Sequence, residues 1–458
     1  MSQEALHRFV EATAEEFGIP GVAVGILAGG QENYASHGVT SVHHPLPVDE
    51  QTLFHLASTT KTFTATALMR LVAEGKVELD APVRRYVPEL RLADERAAEQ
   101  ITVLNLLNHT AGLDWNLIDT GDEADTLAGF VAKMAELPLI APPGARASYS
   151  QAGYNLAGRI VEAVTGLPFE KAAASLVLEP VGLSNTFFEL DDVMVRSFAV
   201  GHNRGEDGQL RLAQPWKSWR AGARGNNPGG GIVSSVSDLL RWARFQLGTG
   251  EGVLPAEALH RMKEPTVELR ASTLGDAFGI CWFLRDVDGV RTIGHGGSGN
   301  GQFAELLIVP ERNFAVVSLA NAGPDGYTFN QAVARWALEH YLGVVEKEAE
   351  PVPYDEARAQ EVVGGYEIDA MNLDIATDGT RLTLAVGIKP ELRAASDVEM
   401  PPDYPAATIG FLTDDGDEYV VTDGGLKGQR GFFSRDADGR VIGVDLAGRL
   451  FGRARAWA

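Results

Sequence analysis

The sequence predicts an α+β fold: an antiparallel sheet flanked by helices, with a helical insertion, followed by a small all-β barrel or sandwich. Three observations lead there. Strand-like apolar runs occur near residue 22 and again between residues 278 and 319, linked as hairpins rather than by βαβ crossovers. The stretch between them, from about 80 to 190, reads as mostly helical. Beyond residue 360, short strand-like runs alternate with Asp-Gly turns at 378–379, 415–416, 423–424 and 438–439. The expected boundaries are 1–345 for the first unit, 346–360 for a linker and 361–458 for the β-domain.

Each element follows from its local pattern. Leu6, Phe9, Val10, Ala14 and Phe17 recur at helical spacing. Val22 to Leu27 reads as a strand, Gly29-Gly30 as a turn, and Tyr34 to Val39 as the returning strand. A helix-like run covers Thr62 to Val72. In the insertion, helices are expected over Val103–Leu107, Leu127–Ala135, Tyr154–Val164 and Phe169–Leu176. Gly229-Gly230-Gly231 marks a tight backbone, and Ser237-Asp238 is expected to cap a helix over Leu239–Leu247. Phe278–Leu284 pairs with Val290–Ile293 across Asp288-Gly289. Phe303–Val309 pairs with Phe314–Leu319, and a helix over Phe329–Tyr341 closes the unit. Glutamates 346, 348 and 350 with Pro351 and Pro353 make the linker.

Composition bounds the function. The chain has 458 residues, 45% of them hydrophobic, which is ordinary for a globular protein. A formal charge of −23 argues against nucleic-acid or anionic-membrane partners, which require clustered Lys and Arg. The lone Cys281, in an apolar run, excludes an intramolecular disulfide framework and reads as a buried structural thiol. Met1 to Ala5 carries neither a basic nor an apolar leader region, and no apolar stretch is long enough for a membrane span. A cytoplasmic location is expected, with a processed mature form as the alternative.

The chemistry starts at Ser58-Thr59-Thr60-Lys61. Residues three apart share a helix face, so Lys61 lies beside the Ser58 hydroxyl if Ser58 opens the following helix. The helix N-terminus adds positive potential where an oxyanion would form. A catalytic serine also needs a base, an oxyanion hole and a substrate clamp. Two later segments offer these: Pro143 to Asn155, with Tyr149 and Gln151, and Gly294-His295-Gly296-Gly297-Ser298-Gly299. The latter matches a dinucleotide fingerprint by letter, but a strand rather than a helix follows, so nucleotide binding is rejected. No H-E-x-x-H or Cys/His cluster is present. No cofactor and no metal are expected.

Together with Leu106–Leu113 and Gly230–Ser235, these segments resemble the serine β-lactamase and penicillin-binding-protein superfamily. The match is to the branch with class C β-lactamases, D-aminopeptidases, DD-peptidases and esterases, over about residues 19–342. The Ser-Asp-Asn and Lys-Thr-Gly triplets of class A enzymes are absent. The resemblance implies Ser58 as nucleophile, with Lys61 and Tyr149 as a coupled base and relay, Lys61 lowering the tyrosine's pKa. It implies an oxyanion hole from the Ser58 and Ser298 N–H groups. Gln151, His295, Gly296 and Gly297 would bind substrate, His295 donating to the Tyr149 oxygen or meeting a substrate carboxylate where relatives carry Lys. Gln151 departs from the usual Asn and leaves the substrate open. His109 reads as structural, and Trp115, Trp216 and Trp219 as pocket-lining or packing residues. The implied activity is a serine hydrolase acting on small peptides or amides, with carboxylesterase or weak β-lactamase activity, or a slowly acylating sensor, as alternatives. The β-domain roofs the cleft or serves in homo-oligomer contacts; both stay open.

Overall fold

Both ends of the first unit supply strands to one eight-stranded sheet. In the computed structural model, which describes residues 3–113, 126–205, 207–213, 223–250, 252–395 and 403–454, the strands are β1 (Gly21–Ala28), β2 (Gln31–Gly38), β3 (Val267–Ser272), β4 (Gly275–Phe278), β5 (Phe283–Val287), β6 (Val290–Gly299), β7 (Gln302–Val309) and β8 (Phe314–Ala320). Their order across the sheet is β2-β1-β8-β7-β6-β5-β4-β3. The pairs are antiparallel, with β1 meeting β8 from Val22↔Ala320 to Leu27↔Ala315. This is the sheet the hairpin signals predict.

β1 is apolar throughout because both faces of the sheet are covered. Val22, Val24 and Ile26 pack with Leu6, Val10 and Ala14 of α1 (Gln3–Phe17) and with Phe329 and Val333 near the C-terminal end of this unit. Ala23 and Leu27 face the opposite core, shared with α2 (Lys61–Ala73), α3 (Gln151–Thr165) and α4 (Val236–Leu247). Gly25 lets α4 approach: a Cβ there would lie 2.9 Å from Leu240 Cδ1. Phe329 and Val333 sit on α5 (Asp325–Ala337), which ends in a wider turn at Leu338–Leu342.

Three local expectations change. The run 278–284 is not one strand: β4 ends at Phe278, β5 starts at Phe283, and Cys281 between them has φ 77°. The break lets the Cys281 N–H bond to the Leu107 carbonyl at 2.9 Å, which docks the insertion on the sheet. Ser235, not Ser237, caps α4, its side chain accepting from Asp238 N. The 294–299 segment lies wholly within β6 rather than after a strand.

The C-terminal strands β9 (Gly364–Glu367), β10 (Met371–Thr377), β11 (Leu382–Ile388), β12 (Tyr404–Phe411), β13 (Glu418–Val421), β14 (Arg430–Arg435), β15 (Val441–Leu446) and β16 (Arg449–Arg453) form a closed barrel. Its own core includes Leu373, Leu384, Tyr419, Phe433, Val444 and Phe451. Closure removes the open edges a sandwich would leave. A helix, Glu356–Val362, occupies the end of the segment expected as linker. The barrel covers the β3 edge of the large sheet: Arg270 pairs with Glu418 at 2.6 Å, and Thr273 Oγ1 accepts from Arg430 N at 2.8 Å. No helix among the described residues is long and apolar enough to cross a membrane.

Candidate active site

Ser58 lies in a tight 3₁₀ turn, Ala57–Thr60, that leads directly into α2. The α-helix thus begins at Lys61 rather than at Ser58. The turn is strained at Ala57, whose φ is 46°, and is fixed on both sides. Leu56 N donates to Ile232 O at 2.8 Å and Ile232 N to Thr60 Oγ1 at 3.0 Å. Thr59 Oγ1 reaches His295 O at 3.2 Å, and Thr64 Oγ1 reaches Pro228 O at 2.7 Å. The threonines after Ser58 therefore anchor the helix start to the glycine-rich segment and to β6.

Lys61 is fully buried. Its Nζ lies 3.1 Å from Ser58 Oγ, 2.5 Å from Gln151 Oε1 and 2.7 Å from Gly229 O. Burial holds the amine well below the usual lysine range; the Cys281 thiol opposes this and the Arg449 guanidinium adds to it. The longer arm of Gln151 fits because position 229 is glycine: a Cβ there would sit 2.0 Å from Gln151 Nε2.

Tyr149 sits in the extended segment just before α3, whose N-cap is Ser150. His109, at φ 59°, organises this segment. Ser148 N donates to His109 O at 2.8 Å, Ser150 N donates to His109 Nδ1 at 3.1 Å, and the imidazole packs 4.4 Å from the Tyr149 ring. Its pKa is driven down by burial, so His109 is a neutral support. The Ser58 side chain acts on the Tyr149 hydroxyl in the direction that favours its ionised form. Burial raises the phenol above its usual range, and neither the Ser58 side chain nor the Arg449 charge overcomes that. The expected lowering of Tyr149 by Lys61 is thus reversed, because desolvation outweighs the neighbouring charge.

His295 also differs from expectation. The residue is 1% exposed, and its ring stacks on Phe283 at 4.3 Å. Nδ1 lies 2.7 Å from Gly296 O, and a carbonyl can only accept, so Nδ1 carries the proton. Burial pushes the imidazole down to about 3, with Lys61 adding to the effect. His295 is therefore neutral, and its N–H is already committed. It offers neither a proton to the Tyr149 oxygen nor a positive charge to a carboxylate.

The rest of β6 is an open edge. β5 pairs with it only from Val290 to Gly294, whereas β7 pairs from Ile293 to Gly299. Two-residue hairpins at 288–289 and 300–301 fix the alternation, so 295, 297 and 299 bond towards β7. Gly296 and Ser298 then turn their N–H and C=O groups to the side where β5 has ended. Gly297 must lack a side chain: a Cβ would lie 2.0 Å from Leu56 O. Gly296 is less constrained, with 3.1 Å to Glu305 Oε2. The structure thus brings Ser58, Lys61, Tyr149, Gln151 and the 295–298 edge together, while Trp115, Trp216 and Trp219 lie outside the described residues.

One residue at this site escaped the sequence reading. Arg449, the first residue of β16 after the turn from β15, places Cζ 5.0 Å from the Tyr149 ring centroid. The turn is docked on both flanks: Tyr149 N donates to Gly448 O at 2.7 Å, and Leu450 N donates to Ser148 Oγ at 3.2 Å. Among the described residues, no three His, Cys, Asp or Glu side chains cluster so as to hold a metal ion.

Known proteins share this arrangement of chain. Penicillin-binding protein 4 of Amycolatopsis lactamdurans is 30% identical over 370 residues, 78% of this chain and 95% of its own. The crystal structure of SurE covers 99% of both chains at a TM-score of 0.75 and 25% identity. The octameric penicillin-binding protein homologue from Pyrococcus abyssi covers 98% of both at 0.68 and 24%. The Beta-lactamase family model matches residues 6–339, which span the large sheet, the Ser58 turn and the helical insertion. By that match, and by its likeness to the Amycolatopsis protein, the chain belongs to the Beta-lactamase family.

Proposed function

We propose that the protein is a serine hydrolase that cleaves small peptides or amides through an acyl-enzyme on Ser58. Family membership supports serine-hydrolase chemistry in broad terms. The observation that carries the finer reading is the set of partners around Lys61 Nζ. A neutral amine has two N–H groups and one lone pair. Gln151 Oε1 and Gly229 O are acceptors only, so they take the two protons, which leaves the lone pair facing the Ser58 hydroxyl.

Ser58 Oγ attacks the substrate carbonyl carbon as its proton passes to Lys61. The carbonyl electrons move onto oxygen, which is held by the Ser58 and Ser298 N–H groups; such a donor is worth about 3–4 kcal/mol in the transition state. When the tetrahedral adduct collapses, the C–N bond breaks and the nitrogen takes the Tyr149 hydroxyl proton. Tyr149 recovers a proton from the Lys61 ammonium. Water then attacks the ester carbon and gives its proton to the regenerated base, so Ser58 is released as the hydroxyl. Gly296 and Ser298 pair with substrate backbone along the open edge of β6. A leaving amine needs a proton more than an alkoxide does. The burial that keeps Tyr149 protonated supports an amide over an ester.

The test combines a fluorophosphonate probe, read by intact mass, with a turnover panel of D- and L-amino-acid p-nitroanilides, p-nitrophenyl acetate and nitrocefin. Labelling at Ser58, lost in Ser58→Ala, with highest kcat/KM on an anilide, is the expected result. A persistent penicillin adduct without turnover would replace the hydrolase by a sensor. An unlabelled, folded protein would end the reading.

A further inference from the structure

Glu305 carries a charge that the chemistry at Ser58 does not use. It lies on β7 directly opposite Gly296 of β6, and paired residues of neighbouring strands point to the same face. That face is the one away from Ser58, since a Cβ on the next residue, Gly297, would run into Leu56 O. With no side chain at 296, the carboxylate reaches over β6: Oε2 lies 3.1 Å from where a Gly296 Cβ would stand. Beyond β6 the sheet is open there, because β5 pairs with it only as far as Gly294. Gly294, Gly296 and Glu305 are all partly exposed.

Little in the protein neutralises this carboxylate. Gln331 Nε2 donates to Oε2 at 3.2 Å, and Tyr327, one turn earlier on α5, adds a phenol that burial and the Glu305 charge keep protonated. Arg285 is the cation whose charge reaches Glu305, and it is paired with Glu346. Burial lifts the Glu305 carboxyl to about 7 against the pull of Arg285, so a cation brought beside it is welcome.

Which part of a substrate arrives there follows from strand pairing. In the mechanism above, the acyl residue places its C=O on the Ser298 N–H. Its own N–H meets Ser298 O when the substrate runs antiparallel to β6, as one closely spaced pair of the ladder. Going back from 298 to 296 then leads forward along the substrate, past the cleaved bond, to the second residue of the leaving group. That side chain shares the Gly296 face, and its Cβ stands about 4.5–5.5 Å from the Cβ position opposite. A stem of about three or four methylenes spans the gap to Glu305, and lysine and arginine carry such stems with a cationic head.

We propose that Glu305 is a specificity-determining residue on the leaving side of the site, receiving the basic side chain of a lysine or arginine at the second position after the cleaved bond. The same carboxylate disfavours an acidic residue there.

This role rests on the hydrolase reading, and the experiment separates the two. N-acetyl-alanyl-alanyl-Xaa carboxamides, with the acyl alanine in D and L forms and Xaa as lysine, norleucine or glutamate, are compared by kcat/KM, alongside p-nitrophenyl acetate. The wild-type protein is expected to favour lysine over norleucine by a factor on the order of 10, with glutamate poorest. The preference should grow between about pH 6 and 8 as Glu305 ionises, while the substrate lysine stays charged. In Glu305→Gln, which keeps the shape and removes the charge, the ratio falls towards one at every pH. Where that variant does not fold, the wild-type ratio and its pH dependence decide. Equal handling of lysine and norleucine by a wild-type protein that cleaves these peptides overturns the role of Glu305 alone, as does a ratio that survives Glu305→Gln. Acylation of Ser58 by p-nitrophenyl acetate with no peptide cleaved overturns the peptidase reading, and absence of any acylation overturns the hydrolase reading; this inference falls with either.

Discussion

The backbone N–H of Tyr149 donates to the carbonyl of Gly448 at 2.7 Å, joining the loop before α3 to a turn of the C-terminal barrel. Gly448 has φ 72°, and a Cβ there would lie 2.3 Å from Leu274 Cδ1. Gly448→Val is therefore expected to cost about 1–3 kcal/mol and to displace the turn. Acylation of Ser58 should slow by more than the stability loss explains. Thermal denaturation combined with fluorophosphonate labelling kinetics checks this; unchanged labelling with a lowered Tm would detach the turn from catalysis.

Lys61 must be neutral to accept the Ser58 proton. Because burial holds it well below the usual lysine range, kcat/KM should rise with pH through a limb that lies far below that range, leaving activity at neutral pH. Lys61→Arg, permanently charged, should lose a factor of about 10²–10⁴ at every pH. A rate that climbs only as pH approaches 10 would show that the amine is charged in the resting site.

Gln151 and Gly229 are coupled by space. Gly229→Ala places a methyl 2.0 Å from the Gln151 amide nitrogen, so it should push Gln151 off Lys61 and slow acylation. Shortening the arm with Gln151→Asn relieves the clash. The double variant should then be faster than Gly229→Ala alone, with a coupling of about 0.5–3 kcal/mol in a double-mutant cycle on kcat/KM. Additive effects would contradict the close contact.

Asp445 gives a stability effect with a definite sign. Its folded pKa of about 8 lies above its ordinary value of 3.8, so the folded state holds the proton across that interval. Stability contributed by Asp445 is present below the unfolded value and is lost as pH rises through about 8. Asp445→Asn should flatten this part of the pH dependence. Urea midpoints of the two proteins between pH 4 and 8 measure it, and parallel curves would count against a buried neutral carboxyl.

Much of this architecture was legible because it rests on local patterns. The Asp288-Gly289 turn, with both φ values positive, sets the register of β5 and β6 as a two-residue hairpin. The three-residue spacing of Ser58 and Lys61 puts their side chains together even though the α-helix begins at Lys61. The misses have tertiary causes. Cys281 breaks an apolar run that looks continuous, because its N–H is taken by Leu107 from the insertion. Ser234, Ser235, Ser237 and Asp238 are all cap-forming types, and Val233–Ser234 is held in a strand between Phe54–His55 and Thr186–Phe187, which leaves Ser235 to cap the helix.

Arg449 was invisible for a related reason. Its turn is Ala447-Gly448, both in the left-handed region, without the Asn or Asp that usually marks such a turn. Nothing local says which barrel hairpin will face the cleft. Barrel closure, Tyr366 against Arg453, was equally beyond local reading, since it joins strands from the two ends of that unit. Charge was misjudged at His295 and Tyr149, where the surrounding packing, not residue type, sets the proton affinity.

The large sheet and the barrel keep separate apolar cores, yet Tyr149 belongs to one unit and the Arg449 guanidinium beside its ring to the other. In that arrangement the surroundings of Tyr149 are complete only once both units have folded and met.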